Sequence, residues 1–270
     1  MKAIILAAGK GERLKGVTKK LPKPMIELNG KPVLQHNIEL CKKYGINDIY
    51  INLHHLPEII TNYFGNGEKF GVQIHYSYER ELLGTAGAVR KIAVDFWHLK
   101  EKSTLLLQNS DNQSFPDFVS SLNSGTSHQL TSMPFLVLYG DNYSNYNLNL
   151  LIEKLYSSNS IAVVAFHYRE DVAQSGVAEF DKDFKLIRFI EKPKYNESLS
   201  RWVNAGIYFV SPKIINFIPR GFSDFGTDIF PNLLNNGIPI YGVCENTNVI
   251  AFDTLEMYNK AVREINGFEK

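Results

Sequence analysis

Cysteine is nearly absent from this chain, and long apolar runs are absent altogether. The two cysteines among 270 residues, Cys41 and Cys244, stand far apart and form no CxxC or zinc spacing. That argues against a disulfide-stapled or zinc-ribbon fold and fits a reduced, cytoplasmic compartment. No apolar stretch approaches the ~18 residues that a membrane helix requires. The short run at residues 3–8 is followed by glycines and charges, not by the pattern of a secretory leader. Net charge is missing too: 29 Lys and Arg oppose 28 Asp and Glu. Without a global field, neither nucleic acid nor anionic lipid is an expected partner, and any anion must be held locally. There is no GxxxxGK[ST] phosphate loop. The opening also makes a poor dinucleotide fingerprint, because Gly16, Pro22 and Pro24 interrupt any helix after the first glycine-rich turn.

What is present is concentrated at the start. Residues 2–7 read as a buried strand running into Ala8-Gly9-Lys10-Gly11, followed by Arg13 and by Lys23 between Pro22 and Pro24. After Leu6, residues Ala7, Ala8, Gly9 and Gly11 put little side chain in the way, so backbone N–H groups from Leu6 onward can approach a polyanion. Arg13 and Lys23 can then neutralise it. Residues before proline favour extended conformations, which predicts that residues 21–24 form a stiff rod aiming the Lys23 ammonium. The reading is a nucleoside-triphosphate site.

Strand and helix signals then alternate: helix 33–44, strand 48–53, helix 57–64, strand 72–78, helix 85–94, strand 135–139. That order predicts an α/β fold with a mixed, mostly parallel Rossmann-like sheet flanked by helices. In such sheets ligands sit beyond the carboxyl ends of strands, where Gly9, Gly84 and Asp141 all fall. Asp141 follows an apolar strand and is the leading Mg²⁺ ligand, since that ion takes one or two carboxylates plus phosphate oxygens. Asp111 ranks below it, inside a polar insert at about 101–133 that reads as a surface excursion, a lid or an oligomer contact. In the second half, strands at 161–166, 177–180, 185–190, 203–210 and 238–243, a short helix after Pro212, another from about 228 and a last helix at 254–265 suggest a smaller β lobe. The whole reads as one domain, with an NTP half at about 1–145 and a second-substrate half at about 146–270.

Five motifs in order resemble the sugar-phosphate nucleotidylyltransferases, the NDP-sugar pyrophosphorylases. They are Gly9-Lys10-Gly11-Glu12-Arg13-Leu14 with Pro22-Lys23-Pro24-Met25; Leu83-Gly84-Thr85-Ala86-Gly87-Ala88; the strand ending in Gly140-Asp141; Phe189-Ile190-Glu191-Lys192-Pro193; and Asn204-Ala205-Gly206-Ile207-Tyr208. The resemblance implies a nucleotide-diphospho-sugar transferase fold and a reaction of NTP with sugar 1-phosphate, giving NDP-sugar and pyrophosphate with Mg²⁺. It implies Arg13 on the β- and γ-phosphates, Lys23 on the α-phosphate and Lys192 on the sugar phosphate. Glu191 and Asn204 would take sugar hydroxyls, and Gly176 would let the sugar approach the backbone. Gly84 and Thr85 would lie against the base, and Glu79 tilts the choice to GTP, with mannose 1-phosphate or a related sugar. A homo-oligomer is allowed. The second metal carboxylate is open. With a two-residue deletion Asp253 takes that position; without a gap Ala251 does, and Asp253 simply caps the last helix. The gap-free case points instead to a catalytically impaired, nucleotide-binding regulatory subunit.

Overall fold

A computed structural model describes residues 1–11, 20–99, 133–194, 197–247 and 249–251. Arg13, Asp253, Asp111 and the last helix at 254–265 lie outside these residues, as does the polar insert apart from residue 133.

The strands are β1 (Lys2–Leu6), β2 (Glu27–Leu28), β3 (Lys31–Pro32), β4 (Asp48–Leu53), β5 (Gln73–Tyr78), β6 (Phe135–Tyr139), β7 (Asn142–Ser144), β8 (Ala162–Tyr168), β9 (Gly176–Phe180), β10 (Leu186–Glu191), β11 (Trp202–Val210), β12 (Ile240–Glu245) and β13 (Val249–Ala251). The α-helices are α1 (Val33–Lys43), α2 (Pro57–Phe64), α3 (Gly84–Trp97), α4 (Leu148–Ser158) and α5 (Phe230–Asn235). Nine strands make one sheet in the order β10-β9-β11-β6-β1-β4-β5, with β8 joined to β11 and β12 to β8. The first-half strands pair in parallel, β6–β1–β4–β5. The second-half strands attach to them antiparallel through β11 on β6. The second-half lobe is therefore a continuation of the same sheet.

Period-two alternation deals the strand side chains to two cores. Ala3, Ile5, Leu136, Leu138, Ile207 and Phe209 face one, under α1, α2 and α4. Ile4, Phe135, Val137, Tyr208 and Val210 face the other, under α3 and α5. With both faces covered, the open carboxyl edge of the parallel strands is left for ligands.

The proline-bracketed rod is corrected. Pro22 is extended, but residues Lys23–Met25 form a 3₁₀ turn, closed by Met25 N–H to Pro22 O at 2.8 Å and Ile26 N–H to Lys23 O at 3.1 Å. Pro24 disfavours a full α conformation for Lys23, yet its own fixed φ suits the first positions of a helical turn. The result tucks Lys23 inward, 6% exposed, where a rod would have held it out. The helix after Pro212 is likewise a 3₁₀ segment, and α5 is preceded by a π-helical turn, Phe225–Ile229. Such turns cluster at functional sites.

Candidate functional site

Lys23 and Asp141 meet at the carboxyl edge as an ion pair between Nζ and Oδ2. Three local devices place them. Gly140 donates its N–H to Leu6 O at 2.8 Å, and a Cβ there would stand 2.8 Å from that same oxygen, so only glycine lets the chain cross over the end of β1. Asn37, 2% exposed on α1, donates to Gly140 O at 3.3 Å and Asn142 O at 3.0 Å, fixing the loop around Asp141. The 3₁₀ turn fixes Lys23.

On one side of this pair lies a cavity of about 270 Å³, walled by Leu6, Ala7, Ala8, Gly9, Glu79 and Gly84 among others. Asn52, the one polar side chain among the buried residues of β4, bridges it: it accepts from Ala7 N–H at 2.7 Å and donates to Glu79 Oε1 at 2.8 Å. The other Glu79 oxygen accepts from Leu83 N–H at 3.1 Å. Burial pushes the Glu79 carboxyl above its ordinary pKa, against the hydrogen bonds from Asn52 and Leu83. Gly84, at φ +73°, starts α3 with a backbone conformation that side chains rarely adopt. The turn is clamped from across the chain: Ala86 N–H reaches Ser223 O at 2.9 Å, and Thr85 bonds Asp224 Oδ1 through its N–H at 2.8 Å and its hydroxyl at 2.9 Å.

On the other side lies a cavity of about 600 Å³ whose wall brings together Gly176, Glu191, Lys192 and Asn204 with Gly9, Gly11, Lys23 and Asp141. Gly176 and Gly226 flank Glu191, since a Cβ on either would stand 2.7 Å from Glu191 Oε2. Burial raises the Glu191 pKa; Lys192 pulls it down and the charge of Asp224 pushes it further up. Lys192 holds φ +52°, a strained backbone for a non-glycine residue and a common mark of a binding site. Asn204 donates to Tyr208 Oη at 2.8 Å and accepts from Gly206 N–H at 2.9 Å, while Tyr208 donates to Tyr139 Oη at 3.0 Å. This tyrosine pair carries a hydrogen-bonded path from the large cavity towards Thr85, at the small one.

Every described residue assigned from the sequence to nucleotide, sugar phosphate or metal thus lines one cavity or the other. Sequence reasoning missed Asn52, His167, Arg169 and Asp224. Asn52 had a signal, a lone amide near the end of an apolar strand. Asp224 lines both cavities, but its importance depends on a fold contact with Thr85, 139 residues away. The two adjacent histidines, His54 and His55, line neither cavity; His54 Nδ1 instead lies 3.0 Å from Glu79 O.

His167, 7% exposed on the wall of the large cavity, has its pKa lowered to about 4 by burial, reinforced by the charge of Arg169. A histidine depressed in the fold contributes stability that is present above its unfolded value near 6.5 and is lost as pH falls through about 4. That difference corresponds to on the order of 3 kcal/mol. The raised carboxyls of Glu79 and Glu191 act in the opposite sense above 4.5. The comparison that isolates His167 is therefore urea unfolding of wild type against His167→Gln from pH 7 to 4.5. The wild type should lose stability relative to the variant as pH falls; a gap independent of pH would contradict a buried neutral imidazole.

Two cavities, of about 270 and 600 Å³, thus share a lysine–aspartate pair on the carboxyl edge of a mixed sheet, the place where α/β proteins bind their ligands. Residues 2–123 and 102–249 match the Nucleotidyl transferase family model, and the chain belongs to that family. It is 33% identical to a UTP–glucose-1-phosphate uridylyltransferase of Synechocystis sp., over 98% of this chain and 63% of that protein. It is 30% identical to mannose-1-phosphate guanyltransferase 2 of Candida glabrata, over 87% of this chain and 56% of that protein. The chain thus spans about three fifths of the length of these curated relatives. Among solved structures, HddC from Yersinia pseudotuberculosis complexed with GMP-PN shares the fold at TM-score 0.71 and 24% identity, covering 98% of this chain and 99% of that one. A putative glucose-1-phosphate thymidylyltransferase from Bacillus anthracis does so at TM-score 0.75 and 24% identity, covering 98% and 94%.

Proposed function

We propose that this chain transfers a nucleotidyl group from an NTP to a sugar 1-phosphate, releasing pyrophosphate. The observation that carries this reading is the shared wall: Gly9, Lys23, Thr85, Tyr139, Asp141 and Asp224 line both cavities, so ligands in the two would meet at the Lys23–Asp141 pair. A phosphate oxygen of the sugar 1-phosphate attacks the α-phosphorus, the bond from that phosphorus to the bridging oxygen breaks, and pyrophosphate leaves with the electron pair. Both reactants are anionic, so the protein's work is alignment and charge neutralisation. Lys23 serves the α-phosphate, Arg13 the β- and γ-phosphates, and Lys192 the incoming phosphate. Glu191 and Asn204 hold sugar hydroxyls beside Gly176. Leu6, Ala7, Ala8, Gly9 and Gly11 cradle the nucleotide, with Glu79, Gly84 and Thr85 on the base side.

Mg²⁺ fits the donor chemistry. Asp141 is a partly exposed carboxylate on the cavity wall with only Oδ2 in the ion pair, and Asp253 would add a second carboxylate. When bound, the ion would supply further neutralisation of phosphate charge.

GTP with mannose 1-phosphate or a related sugar is the pair we favour, on the strength of Glu79. Its carboxylate is a hydrogen-bond acceptor at the base cavity, and guanine presents adjacent donors. UTP with glucose 1-phosphate is the competing pair, supported by the uridylyltransferase relative. Pyrophosphate release from a matrix of GTP, UTP, dTTP, CTP and ATP against mannose and glucose 1-phosphates decides between them. GTP should give at least ten times the kcat/KM of UTP; the reverse order removes the guanine reading. A second reading, a nucleotide-binding regulatory subunit without turnover, is favoured by one observation: Ala251 itself lines the large cavity. Saturable nucleotide binding with no pyrophosphate from any pair would establish it. We place the protein in the cytoplasm, with no nucleic-acid or membrane partner. Among the described residues no helix is long and apolar enough to cross a membrane.

A further inference from the structure

Arg169 follows directly on β8 and has its backbone fixed by Arg169 N–H to Arg201 O at 2.9 Å. It shares the cavity wall with Lys192. Ser175 ties the two segments together: it accepts from Arg169 Nη1 through its hydroxyl at 3.5 Å and from the Lys192 backbone N–H through its carbonyl at 3.0 Å. The first of these is a marginal bond, and it is the only one that the guanidinium makes to a side chain among the described residues. No described carboxylate pairs with it. An arginine has five N–H donors in a planar fork, and on the wall of an anion-binding cavity a fork left so open is matched to phosphate or carboxylate.

The charges around it point the same way. Lys192 adjoins Glu191, whose carboxyl feels its charge, so the lysine does not face a ligand alone. A sugar 1-phosphate is a dianion near neutral pH, and a second cation restores the balance. His167, two residues before Arg169 and on the same cavity wall, is buried and neutral near pH 7. It neither competes for the anion nor quenches the guanidinium.

We propose that Arg169 is a substrate-phosphate residue: with Lys192 it clamps the phosphate of the incoming sugar 1-phosphate from the Ser175 side. The proposal deepens the functional reading above and rests on it for the identity of the substrate. The fork contacts phosphate oxygens on the sugar side of the α-phosphorus, so its loss should appear in sugar-phosphate affinity and not in nucleotide affinity.

The test is calorimetric binding of mannose 1-phosphate and glucose 1-phosphate to wild type, Arg169→Gln, Arg169→Lys and Lys192→Ala. Arg188→Gln, on the exposed edge strand, is the control, and turnover is measured in parallel. Arg169→Gln should weaken sugar 1-phosphate binding about 10- to 100-fold, the range set by losing one or two charge-assisted hydrogen bonds. Arg169→Lys should recover part of it. Nucleotide binding, melting temperature and the binding of unphosphorylated sugar should stay at wild-type values. Unchanged sugar 1-phosphate affinity in Arg169→Gln overturns the proposal. So does an equal loss for the unphosphorylated sugar, which would place the fork on a hydroxyl, and so does a wild type that binds no sugar 1-phosphate. Phosphate binding that depends on Arg169 without turnover would keep this inference and remove the catalytic one. Turnover indifferent to Arg169 would do the converse.

Discussion

Lys23→Ala should lower kcat by two to three orders of magnitude while the protein remains folded. Lys23 is 6% exposed, held by its own 3₁₀ turn, and shared by both cavities. On the proposed mechanism it stabilises charge that develops on the α-phosphate as pyrophosphate departs. Removing one preorganised electrostatic group of this kind costs about 10²–10³ in rate. The lost ion pair with Asp141 should cost little stability by comparison, because Asp141 retains partial contact with solvent, its side chain being 29% exposed. A loss shared equally by kcat and kcat/KM would mark an interaction made in the transition state alone, and a rise in KM alone would mark simple binding. Steady-state kinetics beside a thermal melt read both. An active, folded Lys23→Ala protein would sink the assigned role.

Gly84→Ala should lower the melting temperature by roughly 4–20 °C. Gly84 sits at φ +73°, and a Cβ there would stand 2.4 Å from Ser223 O, a backbone atom that cannot rotate away. The left-handed conformation costs an alanine about 1–2 kcal/mol, and forced overpacking adds about 1–3 kcal/mol. For a domain of this size each kcal/mol is worth about 2–4 °C. The damage should spread to function, because Ser223 precedes Asp224, whose bonds to Thr85 join the two cavities. Gly9→Ala is the contrast. Nothing stands within 4 Å of its added Cβ, so the melt should hold while nucleotide affinity falls. Similar melts for the two variants would contradict the clamp; differential scanning fluorimetry distinguishes them.

How far these residues could be read in advance depended on the range of the interaction. The strand at 2–6 and the helices at 33–43 and 57–64 are local patterns of apolar spacing, glycine and proline, and they formed where expected. Lys23 was legible as a residue, but its inward turn was not, because preference for an extended residue before proline yielded to a 3₁₀ turn that buries the lysine against Asp141. Glu191, Lys192 and Asn204 could be read only through the motifs around them. Asp224 and Arg169 had no local mark at all. Their meaning comes from which strand ends and turns the sheet order brings side by side, and sequence spacing carries no trace of that.

The attachment of β11 to β6 has a consequence for any attempt to cut or recombine this chain. A fragment ending at about residue 145 would leave β6, with its Phe-Leu-Val-Leu-Tyr sequence, as a raw edge on the β11 side, its ladder unpaired and its buried residues on both faces partly uncovered. Such an edge is a template for other chains, and the fragment should aggregate. An exchange of halves between relatives has to leave the β6–β11 seam unbroken. On the proposed function, the boundary between nucleotide and sugar recognition runs through the middle of a hydrogen-bonded sheet, so base preference and sugar preference could not be shuffled as separate modules.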